Sequence, residues 1–494
     1  MRLGASKQHN RLPGRLRLLA ALLCGTAMPF AFSPYDYKWL AIAALTGWIL
    51  LLNGRGFALG YAFGLGWFGV GAWWLAPTFH TFGPLAWIWA IAAAFAVGAA
   101  LAVFPALLAW LSLRLAGSRE RMLLLLPLLA VGEEWVRGHI FTGLPWTPLG
   151  SLLLDTPAIG WAAWFGVYGA TLLPVGLAAA LAGVLISGKP ARAFALLVLI
   201  IIACVAAPSP YMAEGKKHRV ALVQASIPQQ LKWDAGFLND TMERYARLSR
   251  EAAQRSDLIV WPEVAIPLFL ERAPEWRQWL MAQMRDWGKP LLFGGLKLGD
   301  DGRSAYNGLY LFQPGVDELE FVGKRHLVPF GEYVPSWIPF LHALVPNIGD
   351  FKATGDSGTL PANAGRYGSL ICYEAIFPEQ GRYRAAQASV LVNVTNDAWY
   401  GRTPATWQHL QAARMRAVEN GRYLLRAANT GVSAIIAPDG AVVQSMPWFE
   451  QGVVYGEYRE SWVQTPYLRR GDMPLLALLL PLLIIVLYPR RLSR

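Results

Sequence analysis

Residues 368–379, GSLICYEAIFPE, contain an apolar run typical of a buried β-strand that leads directly into Cys372. A tyrosine and a glutamate follow at once. The chain has only three cysteines, and the other two, Cys24 and Cys204, lie in strongly apolar segments. Cys372 therefore has no partner in its own domain for a structural disulfide. Two interpretations stay open at this point, a buried packing residue or a nucleophile.

The sequence around this stretch alternates short apolar runs with longer amphipathic ones. The order strand, helix, strand, helix is indicated by RVALVQASI, TMERYARLSREAAQ, DLIVWPE and PEWRQWLMAQMRDW. Further strands are predicted at PLLFGGLKL, NGLYLFQPG, YGSLICYE, SVLVNVTND, LLRAANTGVSAIIAPDG and GVVYGEYRE, with a helix at 404–420. Several of these strands are apolar on both faces, which favours a layered α/β sandwich whose sheets are covered by helices.

The rest of the 494-residue chain has the composition of a membrane protein. Residues 1 to about 210 are nearly free of charge outside short joints, and residues 474–488 are apolar again. We expect helices 1–7 of a transmembrane bundle in 1–210, a water-soluble domain in 214–470, and an eighth helix with a cytoplasmic tail in 474–494. The eight candidate spans are 16–32, 38–53, 56–78, 84–112, 122–138, 160–187, 193–208 and 474–489.

The first candidate span has an alternative interpretation as a signal peptide, because basic residues precede its apolar core. No small-x-small cleavage pattern follows it cleanly, so a retained helix is favoured.

Basic residues predict the orientation of the chain, since Lys and Arg near span ends stay on the cytoplasmic side. They cluster at alternate joints, which predicts that both termini lie in the cytoplasm and that the large domain lies outside the cytoplasmic membrane, in the periplasm if the cell is Gram-negative. The same residues account for most of the net charge of +12, so we expect contact with anionic headgroups and no nucleic-acid partner. The joint basic groups are Arg2 to Arg17, Arg55, Arg114, Arg119, Arg121, Lys189, Arg192, Arg490, Arg491 and Arg494.

Three polar residues near predicted strand ends are not needed for packing. Glu263 follows Pro262 where the strand DLIVWPE is expected to end, Lys324 follows the run EFVG, and Cys372 ends its own strand. Ligands bind at the carboxyl ends of strands in α/β sheets, so the three could converge on one pocket. A thiol needs a base and benefits from a nearby cation, which a glutamate and a lysine supply. Each residue also has a structural interpretation: a core cysteine, a turn-capping carboxylate and a solvated basic turn.

These residues resemble the motifs of a known superfamily. WPE at 261–263, the lysine of GKRHLVPFGEYVP and the cysteine of CYE resemble, in order, the three blocks of the nitrilase, or carbon-nitrogen hydrolase, superfamily. NVTNDAWYG at 393–401 resembles a later block of the same superfamily. The resemblance implies an αββα sandwich with a Glu-Lys-Cys triad formed by Glu263, Lys324 and Cys372.

The whole chain, with seven predicted helices before this domain and one after it, resembles the apolipoprotein N-acyltransferase family. RVALVQASIPQQLKW at 219–233 adds to that likeness. The resemblance implies that Cys372 attacks an acyl ester of a phospholipid, phosphatidylethanolamine, with Glu263 as general base and Lys324 stabilising the tetrahedral state. The acyl group then passes to the α-amine of a diacylated apolipoprotein, with no metal and no soluble cofactor. Four further residues match positions that the family uses near the site: Glu332, Trp233, Tyr373 and Glu374.

A second apolar feature suggests how lipid reaches the thiol. Residues 336–348, SWIPFLHALVPNI, are too apolar for an ordinary exposed loop and could form an arm that dips into the bilayer. Phe82, in a joint on the same side, could guard the entry. The proposed lipid contacts of the arm are Trp337, Phe340, Leu341 and Leu344.

Two other functions fit the same sequence. A membrane-tethered amidase or nitrilase would keep the triad and use water as the acceptor. A binding or scaffold protein would have lost the activity, but the presence of Glu263, Lys324 and Cys372 argues against it.

Overall fold

The computed structural model describes residues 13–83, 85–186, 190–334, 351–362 and 365–487. The chain divides into two compact units. The first contains the chain up to Arg137, Thr171–Ala203 and the chain from Leu478 onward, and the second contains Gly138–Ala170 and Cys204–Ala477.

The first unit is helical and packs through small residues. A side chain at Gly66 would place its Cβ 2.2 Å from the backbone oxygen of Leu22, and one at Gly60 would place it 2.3 Å from that of Pro105. Only glycine permits such close approach of helices, as is common in membrane bundles. The helices before residue 206 are α1 Gly14–Ala27, α2 Lys38–Leu51, α3 Gly56–Gly71, α4 Leu75–Phe82, α5 Trp87–Leu101, α6 Val103–Ala116, α7 Arg119–His139, α8 Ala162–Ala170, α9 Leu172–Ile186 and α10 Pro190–Val205.

The predicted spans agree with these helices to different degrees. Helices α5 and α6 join into Trp87–Ala116, 30 residues that are long and apolar enough to cross a membrane, where a span at 84–112 was predicted. Residues 160–187 do not form one straight helix, because Pro157–Ala170 and Leu172–Ile186 are bent by 69°. Gly166 has a non-helical backbone within this stretch (φ 67°, ψ 178°). The count of eight spans stays a prediction.

The second unit contains two six-stranded sheets of order β12-β1-β2-β3-β4-β5 and β11-β10-β9-β8-β7-β6. The strands are β1 Lys217–Gln224, β2 Leu258–Phe269, β3 Leu291–Leu298, β4 Ala305–Phe312, β5 Glu320–Gly323, β6 Thr359–Pro361, β7 Arg366–Ile371, β8 Val390–Thr395, β9 Leu424–Ala428, β10 Ala434–Ile436, β11 Val442–Ser445 and β12 Gly452–Arg459. The helices after residue 206 are α11 Gln229–Lys232, α12 Leu238–Arg255, α13 Pro274–Trp287, α14 Pro378–Ala385, α15 Ala405–Asn420, α16 Pro466–Arg470 and α17 Met473–Leu487.

The two sheets pack face to face and helices cover their outer faces. Val260 and Leu309 of the first sheet share a buried cluster with Val392 and Leu425 of the second. Burial of each such side chain contributes about 1.5–3 kcal/mol. Other clusters join the first sheet to α12 and α13, and the second sheet to α14 and α15. These layers confirm the predicted αββα sandwich.

Two strands differ from their predicted form. β2 does not end at Pro262. Its pairing with β3 breaks after Trp261 but resumes at Ile266, so the strand continues to Phe269. The run at 424–440 is two antiparallel strands, β9 and β10, and not one. The short strands β5, β6 and β11 were not predicted individually, since three or four residues carry too little periodicity to identify a strand.

Candidate active site

Glu263 lies in the break of β2, where the strand leaves the ladder without ending. Trp261 pairs with Phe293, and the next paired residue is Ile266, opposite Gly295. A Cβ at Gly294 would lie 2.5 Å from the Cα of Glu263, so the break needs a glycine on the neighbouring strand. Proline cannot donate to the ladder, which explains why the sequence WPE bulges here. Glu263 is therefore held by the backbone of the sheet and is buried.

The Glu263 carboxylate is held by two donors. Asn307 Nδ2 donates to Oε1 at 2.8 Å, and the backbone N–H of Asn396 donates to Oε2 at 2.9 Å. Lys324 Nζ lies 3.9 Å from Oε1. Below the carboxylate, Lys232 Nζ donates to the backbone carbonyl of Glu263 at 3.0 Å. Groups from β4 and from the residues directly after β5 and β8 thus meet at the carboxylate, while α11 contacts the backbone of the same residue.

Lys324 directly follows β5, and its side chain is 1% exposed. Its ammonium donates to Glu332 Oε1 at 2.8 Å, and the other oxygen of Glu332 accepts from the backbone N–H of Val328 at 2.8 Å. Burial alone would lower the pKa of Lys324, but the carboxylates of Glu332 and Glu263 outweigh it and raise that pKa. Lys324 therefore remains a cation inside the site.

Cys372 is the first residue after β7 and is 7% exposed. Its φ of 51° lies in the left-handed region that residues other than glycine avoid. Burial raises the pKa of the thiol, and the Glu263 carboxylate adds to that, while Lys324 and a hydrogen bond with Thr395 oppose it. The thiol is therefore protonated at rest and needs a base at the moment of attack.

The two residues after Cys372 have mainly structural contacts. Glu374 Oε1 accepts from the backbone N–H groups of Arg325 and His326 at 2.8 and 3.1 Å, and Oε2 accepts from Ile371 at 2.8 Å. It thereby ties the turn after the lysine to the end of β7. Tyr373 donates its hydroxyl to the carbonyl of Gly143 at 3.3 Å. These contacts explain why both side chains are buried.

Trp233 directly follows α11 and differs in burial from the lysine beside it. Its side chain is 53% exposed, whereas Lys232 beside it is buried and contacts the backbone of Glu263. Burial lowers the pKa of Lys232 to about 8, against the opposing effect of Glu263 and Cys372. Lys232 was not among the predicted site residues, because a lysine in QQLKW has no local sign of burial.

The predicted lipid contacts are largely beyond what the structure covers. Trp337, Phe340, Leu341 and Leu344 lie outside the described residues. Phe82 is the last residue of α4, in the helical unit, and is partly buried.

Comparison with known proteins assigns both parts of the chain. The Carbon-nitrogen hydrolase family matches residues 219–467, and the family described as the apolipoprotein N-acyltransferase N-terminal domain matches residues 24–180. The first match includes Glu263, Lys324 and Cys372.

Relatives cover nearly the whole length. A protein of Geobacter metallireducens named apolipoprotein N-acyltransferase is 36% identical over 482 residues, 92% of each chain. A protein of Ralstonia nicotianae with the same name is 36% identical and covers 97% of this chain and 94% of its own. Among solved structures, an amidase from Nesterenkonia sp. is 20% identical with a TM-score of 0.39, and covers 53% of this chain and 97% of its own.

Proposed function

This chain belongs to the apolipoprotein N-acyltransferase family, and we propose that it transfers an acyl chain from a membrane phospholipid to the α-amine of a diacylglyceryl-cysteine apolipoprotein. The observation that supports the proposal is the 3.9 Å approach of the buried Lys324 ammonium to the buried Glu263 carboxylate, together with the effect of both charges on the pKa of the buried Cys372 thiol. A base, a cation and a thiol are the set that acyl transfer through a thioester requires.

In the first step, Glu263 accepts the thiol proton as Cys372 Sγ attacks the ester carbonyl of the phospholipid. The carbonyl oxygen becomes an oxyanion, which the Lys324 ammonium stabilises. A preorganised donor of this kind is worth about 3 kcal/mol in the barrier. The C–O bond then breaks, the lysophospholipid alcohol takes the proton from Glu263, and the acyl group remains on sulfur as a thioester.

In the second step, the neutral α-amine of the lipoprotein attacks the thioester carbonyl. Glu263 accepts a proton from the amine, the C–S bond breaks, and the proton returns to the thiolate of Cys372. The product is an amide, so the overall reaction exchanges an ester for an amide in two half-reactions. This is a ping-pong scheme, in which donor and acceptor use the same triad in turn.

The neighbours of the triad have supporting roles in this scheme. Glu332 fixes the ammonium of Lys324 by a direct ion pair, and Asn307 bridges the carboxylates of Glu263 and Glu332. Glu374 holds the turn that carries the lysine. Tyr373 supports the nucleophile from the adjacent position, and Trp233 offers an exposed aromatic surface to substrate.

The membrane half keeps the site near its lipid substrates. We infer eight spans in residues 1–210 and 474–494, with both termini cytoplasmic and the domain of residues 214–470 in the periplasm. The arm with Trp337, Phe340, Leu341 and Leu344 would contact acyl chains, and Phe82 would line their path. Phosphatidylethanolamine is the proposed donor, from the family resemblance.

The test is acyl transfer from a labelled phospholipid to a synthetic diacylated lipopeptide by the purified full chain. Transfer by the wild type and none by Cys372→Ala is the expected result. An active preparation that releases ammonia from small amides but never acylates the peptide would instead establish the amidase function.

A further inference from the structure

His409, on α15, is fully buried and lies beneath the nucleophile. Its Nε2 is 2.9 Å from the backbone carbonyl oxygen of Cys372, and its Nδ1 is 3.0 Å from Asp397 Oδ1. The ring therefore bridges the residue that carries the thiol and the turn after β8.

The partners of the ring determine which of its nitrogens donates. A backbone carbonyl can only accept a hydrogen bond, so Nε2 of His409 donates to the carbonyl of Cys372. Burial would raise the pKa of Asp397, but Arg426 and His409 outweigh it and lower that pKa to about 2, so Asp397 is ionised and accepts hydrogen bonds.

Asp397 and Arg426 hold the Nδ1 side of the ring. Arg426 Nη2 carries two protons, and it lies 2.6 Å from Asp397 Oδ2 and 3.3 Å from His409 Nδ1. Two aromatic rings also pack beside the imidazole, with the centroid of Tyr400 at 5.9 Å and that of Trp146 at 6.4 Å.

The contact to Cys372 matters because that residue has a left-handed backbone, with φ at 51°. Such a conformation persists only where its surroundings stabilise it, and His409 stabilises this one by a hydrogen bond to the carbonyl of Cys372. Thr395 donates its hydroxyl to Asp397 Oδ1 at 2.9 Å, which fixes the carboxylate in turn. One connected set of hydrogen bonds therefore runs from β8 to the nucleophile.

We propose that His409 is a positioning residue, held by Asp397 and Arg426, that fixes the carbonyl of Cys372 and so aligns the thiol with Glu263 and Lys324. This rests on the proposed function of Cys372 as the nucleophile. The Asp397, His409 and Arg426 cluster then acts on the thioester-forming step and not on donor binding.

The test measures thioester formation in a single turnover by intact-protein mass spectrometry, on the full chain with phosphatidylethanolamine in detergent. His409→Gln should lower the maximal rate about 10²-fold, as a small misplacement of reacting groups does. The phospholipid concentration for half-maximal rate should stay within about twofold. His218→Gln is the matched control, because His218 is also buried, stacks on Tyr458 and faces Glu460 at 3.7 Å.

A His409→Gln rate within about twofold of wild type would overturn the inference, and so would a loss caused only by weaker donor binding. Wild-type protein that forms no thioester at all would count against the proposed function instead.

A second variant covers the case in which His409→Gln does not fold. Asp397→Asn keeps the shape of the side chain but removes the negative charge that holds the ring. It should also lower the maximal rate of thioester formation, by about 10-fold or more, with the phospholipid concentration for half-maximal rate within about twofold of the wild type. A rate equal to that of the wild type would overturn the inference.

Discussion

Lys324 Nζ lies 2.8 Å from Glu332 Oε1, and the two side chains are only 1% and 12% exposed. A buried ion pair of this kind is sensitive to removal of one partner, because the remaining charge has lost its water and its counter-ion. The ion pair therefore fixes the orientation of the Lys324 ammonium in the site.

Glu332→Gln should impair both stability and activity. The Lys324 ammonium would move toward Glu263, its remaining carboxylate partner. The Glu263 carboxylate would then be a weaker base. We expect a loss of about 1–3 kcal/mol in unfolding free energy and about 10²-fold in transfer rate, measured by thermal unfolding and lipopeptide acylation. Glu457→Gln, in the exposed pair with Lys217, is the control and should change neither quantity.

Cys372→Ser should abolish turnover with little change in melting temperature. The serine hydroxyl is a much poorer nucleophile than the thiol at neutral pH. The transfer rate should fall by about 10³-fold or more, measured with the labelled phospholipid. Substantial activity in this variant would remove Cys372 from the mechanism.

Glu263→Gln should leave the fold intact and block formation of the thioester. The amide oxygen can accept from either Asn307 or the backbone N–H of Asn396 but not from both, and the amide cannot take the thiol proton. We expect a fall of about 10²–10⁴-fold in acyl-enzyme formation, followed by mass spectrometry. Acyl-enzyme that accumulates at the normal rate would contradict the assignment of Glu263 as base.

Lys232→Met should change how stability depends on pH. The pKa of Lys232 is lowered to about 8 in the folded chain by burial, from an ordinary value of 10.5. Between these values the unfolded chain binds more protons, so the wild type gains stability as pH rises through this window, by about 1.4 kcal/mol per pH unit.

The variant lacks this titration, so wild type should gain about 2 kcal/mol relative to Lys232→Met between pH 7.5 and pH 9.5. Thermal unfolding at the two pH values measures the difference. Lys217→Met, at an exposed lysine, should follow the wild type. Parallel curves for wild type and Lys232→Met would show that Lys232 has an ordinary pKa.

Gly294→Ala should displace Glu263. The new methyl group would lie 2.5 Å from both the Cα of Glu263 and the carbonyl oxygen of Pro262, and these backbone atoms cannot move independently of β2. We expect a loss of about 10²-fold in transfer rate. Gly355→Ala is the control, since no atom lies within 4 Å of its Cβ position. Equal activity of the two variants would show that the break in β2 tolerates movement.

The layers of the fold could be predicted from sequence because buried strands and amphipathic helices carry local signals. In α12, the buried residues Met242, Tyr245, Ser249 and Ala252 recur at helical spacing. Cys372, which follows the apolar strand β7, was also identifiable from local pattern, whereas Lys324 was identified by its match to the superfamily motif, because the four-residue strand β5 before it was not predicted.

The partners of the triad could not be found in this way. Asn307 and Asn396 reach Glu263 across separations of 44 and 133 residues, so only the pairing of strands brings them together. The contact of His409 could not be predicted either, since nothing in QHLQAARM indicates that its ring faces Cys372. The sequence shows which side chains could do the chemistry, whereas the orientation of each side chain depends on tertiary structure.

The catalytic unit is not a continuous piece of chain, because Gly138–Ala170 belongs to it. The backbone N–H of Val167 donates to Glu419, 252 residues later, and Leu144 and Trp146 pack on Tyr373 and Phe377. During synthesis at about 5–20 residues per second, this early segment waits roughly 10–50 s for its partners. A fragment begun near residue 210 would therefore lack part of its own core, and a secreted, membrane-free version of the enzyme would need that segment grafted back.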